Sequence, residues 1–258
     1  LNRLLYDFNN LFNSEVNMLK RKIPVIIICL ICVVHIFRVD KVEAKMLMRK
    51  ELEPTGYVTW EVPNNEKLIA ITFDDGPDPT YTPQVLNLLR QYKAEATFFM
   101  IGFRIQRNPY LVNRVLKEGH EIGNHTMNHL YARDASNEKL KNDILEEKRY
   151  LQKWVKEPLL FRPPGGYINN AVFATAKEAG YQIVLWSWNQ DPKDWADPGT
   201  ESIVKNVVTN AKSGDIVLLH DGGSDRSQTV AALAKILPAL QKQGYRFVKV
   251  SELLRYRH

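Results

Sequence analysis

The sequence predicts an α/β fold, a distorted (β/α) barrel of about seven parallel strands, and three observations lead there. Short apolar runs at 68–73, 96–101, 121–123, 159–161, 181–186, 215–219 and 246–250 alternate with segments of helical spacing at 83–92, 109–117, 138–155, 171–179, 201–211 and 229–243. Three of those helical segments end alike, at Lys117-Glu118-Gly119, Lys177-Glu178-Ala179-Gly180 and Lys242-Gln243-Gly244, each followed at once by a strand. Glycine supplies the left-handed residue that closes a helix, and lysine suits the negative end of its dipole, so these are helix-to-strand loops. The number of such repeats fits a closed or nearly closed parallel barrel better than an open doubly wound sheet. Pro238, inside the last helical segment, predicts a kink or a break there.

A chain of 258 residues, 45% hydrophobic, can build one substantial core. Ahead of the barrel the sequence divides into three stretches. Residues 1–17 precede Met18 and read as a possible upstream extension. Residues 18–44 carry Lys20-Arg21-Lys22, an apolar run over 23–37 and then polar residues, the order of a signal peptide or an N-terminal membrane anchor. The run is short for a bilayer span of about 20 residues, and Val42-Glu43-Ala44 suits cleavage before Lys45. Both cysteines, Cys29 and Cys32, fall in this run and read as apolar filler rather than a redox or metal pair. Residues 45–66, with Pro54, Gly56, Pro63 and Asn64-Asn65, read as a linker that lays Tyr57 and Trp60 onto the domain at 67–258. The expectation is an exported protein, secreted or anchored at the outer face of the cytoplasmic membrane.

The net charge is +6, and residues 1–44 hold six Lys/Arg and four Asp/Glu, leaving 29 against 25 beyond. So mild a balance, without a clustered basic run, argues against a nucleic-acid partner.

In a βα barrel the reactive side chains gather where strands end. The first strand exits through Thr72-Phe73-Asp74-Asp75-Gly76-Pro77, two adjacent carboxylates that face different sides. Such a stretch is by itself most often a turn. The next reactive exit is Gly123-Asn124-His125-Thr126-Met127-Asn128-His129, whose histidines at i and i+4 would stand together on one helical turn and reach one metal ion. With a carboxylate from another strand end they complete an open three-donor site. Three further exits follow: Phe161-Arg162-Pro163-Pro164-Gly165-Gly166, Asp191-Pro192-Lys193-Asp194-Trp195 and Leu218-Leu219-His220-Asp221. Each alone reads as structural, and their coincidence at successive strand ends argues for chemistry.

Together these blocks, over roughly 67–258 and in the same order, resemble the signature motifs of the polysaccharide deacetylase family, the NodB-like domain of carbohydrate esterase family 4. The resemblance implies a catalytic domain that removes acetate from N-acetylglucosamine units of a cell-wall polysaccharide, peptidoglycan first and chitin oligomers second. It implies Asp74 as general base, held by Arg162, and Asp75, His125 and His129 as ligands of Zn²⁺, with Co²⁺ or Ni²⁺ as substitutes. It implies His220 as general acid, oriented by Asp194, and Trp195 and Leu218 as walls of the sugar groove and acetyl pocket. Gly165 stands where the family often has an aromatic residue; it keeps its N–H for an oxyanion but leaves sugar positioning altered. The implied partner is the polysaccharide itself, with the chain working as a monomer and touching a membrane only through an uncleaved N-terminal segment. An O-acetyl esterase or another amidohydrolase on the same scaffold would use the same motifs. A non-catalytic wall-binding protein would need neither Asp74 nor His220.

Overall fold

The computed structural model describes residues 45–156 and 159–257. Cys29, Cys32 and the stretches 1–17 and 18–44 lie outside the described residues. Seven parallel strands run in the order β1-β6-β5-β4-β3-β2-β7. They are β1 (Val58–Thr59), β2 (Leu68–Asp74), β3 (Ala96–Met100), β4 (Glu121–Asn124), β5 (Leu160–Phe161), β6 (Gln182–Val184) and β7 (Ile216–His220). Among the described residues no ladder joins the edge strands β1 and β7. They are linked instead by an isolated antiparallel bridge, Glu61 to Asp215, and by the segment after β6, where Ser187 N–H donates to Ile216 O at 3.0 Å and Leu218 N–H to Gln190 O at 2.9 Å. The barrel is therefore distorted and left partly open, which is the predicted class.

All seven residues of β2 are buried, as expected of a parallel strand covered on both faces. Its side chains alternate. Ile69, Ile71 and Phe73 pack outward with Leu86 and Leu89 of α2 (Tyr81–Gln91) and Leu233 and Ile236 of α8 (Ser227–Lys242), whereas Leu68 and Ala70 face inward with Phe99, Leu160 and Ile216. The register pairs Thr72 with Leu218 and Asp74 with His220. Two-residue periodicity then puts Thr72, Asp74, Leu218 and His220 on the same inward face as Leu68 and Ile216, at its C-terminal rim. This is how the fold assembles groups almost 150 residues apart.

The covering helices are α1 (Arg49–Leu52), α2, α3 (Gly102–Arg107), α4 (Pro109–Lys117), α5 (Asn137–Leu151), α6 (Asn170–Glu178), α7 (Thr200–Asn210), α8 and α9 (Val250–Leu253). Asn169 caps α6 by accepting the Val172 N–H at 2.9 Å. The three glycines predicted to close helices, Gly119, Gly180 and Gly244, have φ of 90°, 76° and 88°.

Three expectations need correction. The stretch 45–66 is more than a linker: Leu52 and Val58 are buried, and β1 completes the sheet beside β6. The strand expected at 246–250 is only β8 (Arg246–Phe247), which pairs with Leu68 and Ile69 of β2 off the main path. Helix α8 runs through Pro238 without a break, because Leu233, Ile236, Leu237 and Leu240 around it are wholly buried against the sheet.

Candidate active site

At the end of β2 the backbone turns sharply. Asp75 takes a φ of 71°, a left-handed conformation that few residues other than glycine adopt, and the two neighbouring carboxylates consequently serve different partners. Buried Asp74 accepts a hydrogen bond from Arg162 Nη1 at 2.7 Å. Arg162 is wholly buried and fully engaged: Nη1 also donates to Thr72 Oγ1 at 2.8 Å, Nε to Val184 O at 3.0 Å and Nη2 to Leu185 O at 2.9 Å. A buried cation so completely bonded has one orientation, and it passes that rigidity to Asp74.

His125 and His129 come together on a loop, not on the helical turn predicted from their spacing. Thr126 and His129 are left-handed, with φ of 65° and 57°, so a helix cannot form there. The loop is held by Asn124 Oδ1, which accepts the Thr126 N–H at 2.9 Å, and by Asp143 of α5, which accepts the Asn128 N–H at 3.0 Å and its side-chain amide at 2.7 Å. His125 Nδ1 lies 2.7 Å from Arg162 O. A carbonyl only accepts, so Nδ1 carries the proton and Nε2 presents a lone pair. His125 Nε2 and His129 Nε2 lie 3.5 and 3.1 Å from Asp75 Oδ1, and the three donor atoms all fall within 4.8 Å of one another. Asp75 Oδ1 is buried without a hydrogen-bond partner among the described residues. Two imidazoles and one carboxylate whose donor atoms converge in this way fit a divalent cation.

Across the rim, His220 Nδ1 meets Asp194 Oδ1 at 2.7 Å. Asp194 Oδ2 accepts the His220 N–H at 2.9 Å and the Thr229 hydroxyl at 2.7 Å, so the carboxylate is tied to strand and helix at once. Burial works to lower the His220 pKa, but the hydrogen bond and charge of Asp194, with Asp74 and Asp75 nearby, push it up to about 9. The Asp194 contact thus favours the protonated imidazole, the form a proton donor needs. Its neighbour Asp221 is buried beside Gly76 and accepts from Thr82 Oγ1; burial, opposed by that bond and aided by the surrounding carboxylates, pushes it up to about 7.

The two carboxylates of the β2 turn and the three histidines open into one cavity of about 520 Å³, a size suited to a small-molecule site. Asp74, Asp75, His125, His129 and His220 line it, as do Gly165, Trp195 and Leu218; Arg162 and Asp194 stand behind the wall as supports. The structure thus brings every sequence-predicted site residue to one place. Missed were Thr72, Thr229 and Asp143, which position the reactive groups, and Tyr131, Arg133, Tyr167 and Arg226, which line or edge the cavity. Asp143 left a signal: it falls on the buried stripe of α5 with Leu140, Ile144, Glu147 and Leu151, where an acid is out of place.

Residues 61–184 match the family model for polysaccharide deacetylase. Over 213 residues the chain is 85% identical to a peptidoglycan-N-acetylglucosamine deacetylase of Bacillus cereus, covering 83% of this chain and 100% of that protein. The chain belongs to the polysaccharide deacetylase family. A chitooligosaccharide deacetylase of Sinorhizobium fredii is 38% identical over 189 residues, 69% of this chain and 87% of its own. The solved structure of the peptidoglycan deacetylase PdaC from Bacillus subtilis superposes with a TM-score of 0.68 at 37% identity, covering 74% of this chain and 92% of that one. As a member of this family the chain is a hydrolase, and the curled, partly open parallel barrel is the family's architecture.

Proposed function

We propose that this polysaccharide deacetylase hydrolyses the acetamide of N-acetylglucosamine residues in peptidoglycan, and second in chitin oligomers, releasing acetate and a free amino sugar. The observation that carries this reading is the convergence in one cavity of an open three-donor cluster, Asp75, His125 and His129, with a carboxylate, Asp74, and an imidazole, His220. The activities of the Bacillus cereus and Sinorhizobium fredii relatives support the substrate order.

An amide needs an activated water, a place for the oxyanion and a proton for the leaving nitrogen. A divalent cation, Zn²⁺ first and Co²⁺ or Ni²⁺ as substitutes, would be held by Asp75, His125 and His129 and would polarise the acetyl carbonyl and lower the pKa of a water to about 7. Asp74 accepts the proton of the attacking water, and Arg162 keeps the carboxylate aimed at it. Gly165 lines the cavity and offers its backbone N–H to the oxyanion; the N–H of Gly166 is taken by Pro163 O at 2.9 Å. His220 delivers the proton to the departing amine, and Asp194 holds the imidazole and favours its charged form. Leu218 and Trp195 bound the space for the acetyl group and the sugar ring.

Acetate release from peptidoglycan, acetylated chitooligosaccharides and acetyl-xylan, assayed in parallel with and without a chelator, tests the reading. Acetate from acetyl-xylan alone would make the chain an O-acetyl esterase; no acetate from any of them would leave a wall-binding protein. Full activity after exhaustive metal removal would sink the cation's role. We also infer export, with residues 18–44 as the signal or anchor, and action as a monomer. Fractionation and mass spectrometry of the native N-terminus test the first, and a chain found in the cytoplasm with 18–44 intact refutes it.

A further inference from the structure

The loop that leaves β7 wraps the turn that leaves β2. Asp221, Gly222 and Gly223 seat on successive parts of that turn. The Asp221 N–H donates to Asp74 O at 3.1 Å, and the Asp221 carboxyl packs so closely on Gly76 that a Cβ there would overlap it. Gly222 lies against the Asp75 carbonyl, and a Cβ at 222 would strike it. Gly223, with φ of 95°, lies beside the carboxylate, where a Cβ would be 3.0 Å from Asp75 Oδ2. The loop therefore closes the turn from its backbone to its side chain. Asp75 needs such support, because a left-handed residue other than glycine keeps that conformation only where its surroundings hold it.

Two adjacent glycines have too much backbone freedom to hold such a path by themselves. Arg226 supplies the hold. It stands at the start of α8, where its carbonyl accepts the Val230 N–H at 3.0 Å, and its side chain turns back so that Nε donates to Gly222 O at 2.7 Å. Nη2 lies 3.1 Å from the Cβ position of Gly223 that is also 3.0 Å from Asp75 Oδ2, so guanidinium and carboxylate flank one glycine. Arg226 borders the catalytic cavity yet is only 4% exposed. A guanidinium so deeply buried is normally paired with a carboxylate, as Arg162 is with Asp74. Here the adjacent acid, Asp225, accepts instead from the Tyr81 hydroxyl and the Ser227 N–H, and Arg226 Nη1 has no partner among the described residues. Among those residues, the hydrogen bond that this guanidinium does make is the one to the Gly222 carbonyl.

We propose that Arg226 is a positioning residue for the cation site, a latch whose Nε–H holds the loop 221–223 on the β2 turn and so keeps the Asp75 carboxylate facing His125 and His129. The inference rests on the reading of Asp75 as a metal donor and adds a residue that acts through it. Helix α8 then serves both halves of the chemistry from its first turn. Thr229 fixes Asp194 behind His220, and Arg226 fixes the loop beside Asp75.

Two neutral replacements separate the latch from the charge. The amide nitrogen of glutamine stands as many bonds from Cα as the Nε of arginine, so Arg226→Gln keeps a donor for Gly222 O, whereas Arg226→Met puts a methyl group there. Both lose the positive charge, so its effect on a nearby cation cancels between them. Isothermal titration of the metal-free full chains with Zn²⁺ should give Arg226→Met an affinity about two- to tenfold below that of Arg226→Gln, the usual contribution of one neutral hydrogen bond. Acetate release by Arg226→Met at limiting Zn²⁺ should fall by the same factor and recover when Zn²⁺ is added. Equal affinities in the two variants overturn the latch, whether both match the parent or both depart from it. A difference confined to the thermal melt overturns it likewise, since the bond would then serve fold stability alone. Should Arg226→Met not fold, Gly222→Ala tests the same contact by pressing a Cβ on the Asp75 carbonyl: it should weaken Zn²⁺ binding, and an unchanged affinity overturns the proposal. Failure of the metal reading is distinct, because the unaltered chain would then bind no Zn²⁺.

Discussion

Asp74 and Asp75 are adjacent in sequence yet meet different partners, so replacing each should produce a different defect. In Asp74→Asn the amide oxygen can still accept from Arg162 Nη1, now 2.7 Å from the carboxylate, while Thr72, Val184 O and Leu185 O keep their bonds to the guanidinium. What is lost is the charge. A hydrogen bond to an ionised partner contributes about 1.5–3 kcal/mol and a neutral one about 0.5–1.5, so the fold should lose about 1–2 kcal/mol. For a domain of this size that lowers Tm by about 2–8 °C, which leaves a folded enzyme to assay. Turnover should drop by about 10²–10⁴-fold, the usual contribution of a general base, while Zn²⁺ affinity stays near that of the parent. Asp75→Ala instead removes the only anionic donor of the cluster, so Zn²⁺ affinity should fall by more than the roughly 10–100-fold typical of losing a supporting residue, and high added Zn²⁺ should recover part of the rate. Isothermal titration with Zn²⁺, acetate release and a thermal melt on both variants give the comparison. If Asp74→Asn loses the metal while Asp75→Ala keeps both metal and turnover, the division of labour read from the backbone turn at Asp75 is wrong.

Three further outcomes follow from the same geometry. Asp194→Asn removes the anion that raises His220, so the protonated imidazole is lost at lower pH, and the basic limb of the kcat profile should move below the region near pH 9 toward neutrality; an unmoved limb would show that another group sets it. His120 packs edge-on to Phe98, and both its ring nitrogens lack hydrogen-bond partners among the described residues; burial, only partly opposed by Glu118 and Glu95, pushes its pKa down to about 4. A folded value below the unfolded one means that this contribution is complete above about pH 6.5 and is lost as pH falls toward 4, by about 2–3 kcal/mol at pH 4.5, and urea unfolding of His120→Leu at pH 7.5 and 4.5 should show a correspondingly smaller acid loss. Gly165→Ala puts a Cβ at φ 63° against the Tyr131 and Tyr167 rings and should lower stability by about 1–3 kcal/mol, read as a drop in Tm, whereas an unchanged melt would mean that the loop relaxes freely.

What the sequence displays and what it hides divide along physical lines. The inward face of the barrel was legible because β2 and β7 are continuous apolar runs with reactive residues only at their ends, and a parallel strand buried on both sides leaves no other place for a charge. Strand β1 was not legible: Val58-Thr59 is two residues long, and only its pairing with Ile183 and Val184 makes it a strand. The histidine pair was found for its spacing but given the wrong local structure, since i and i+4 also meet across a loop when two residues between and at the ends turn left-handed. That turn is enforced by Asp143, whose carboxylate lies on the buried stripe of α5 one turn from Glu147. Glu147 has no hydrogen-bond partner for either oxygen among the described residues, and burial, opposed by the backbone of His125 and aided by the charge of Asp143, pushes its pKa well above the usual carboxylate range. The two acids therefore do opposite things from adjacent turns of one helix. Asp143 is satisfied by the loop and holds it; Glu147 lies behind the same loop, where burial disfavours its charge. An acid on an apolar helical stripe is thus a clue to a positioned neighbour when it has donors to meet. Sequence shows only that the acid is misplaced, and the fold decides which of the two it becomes.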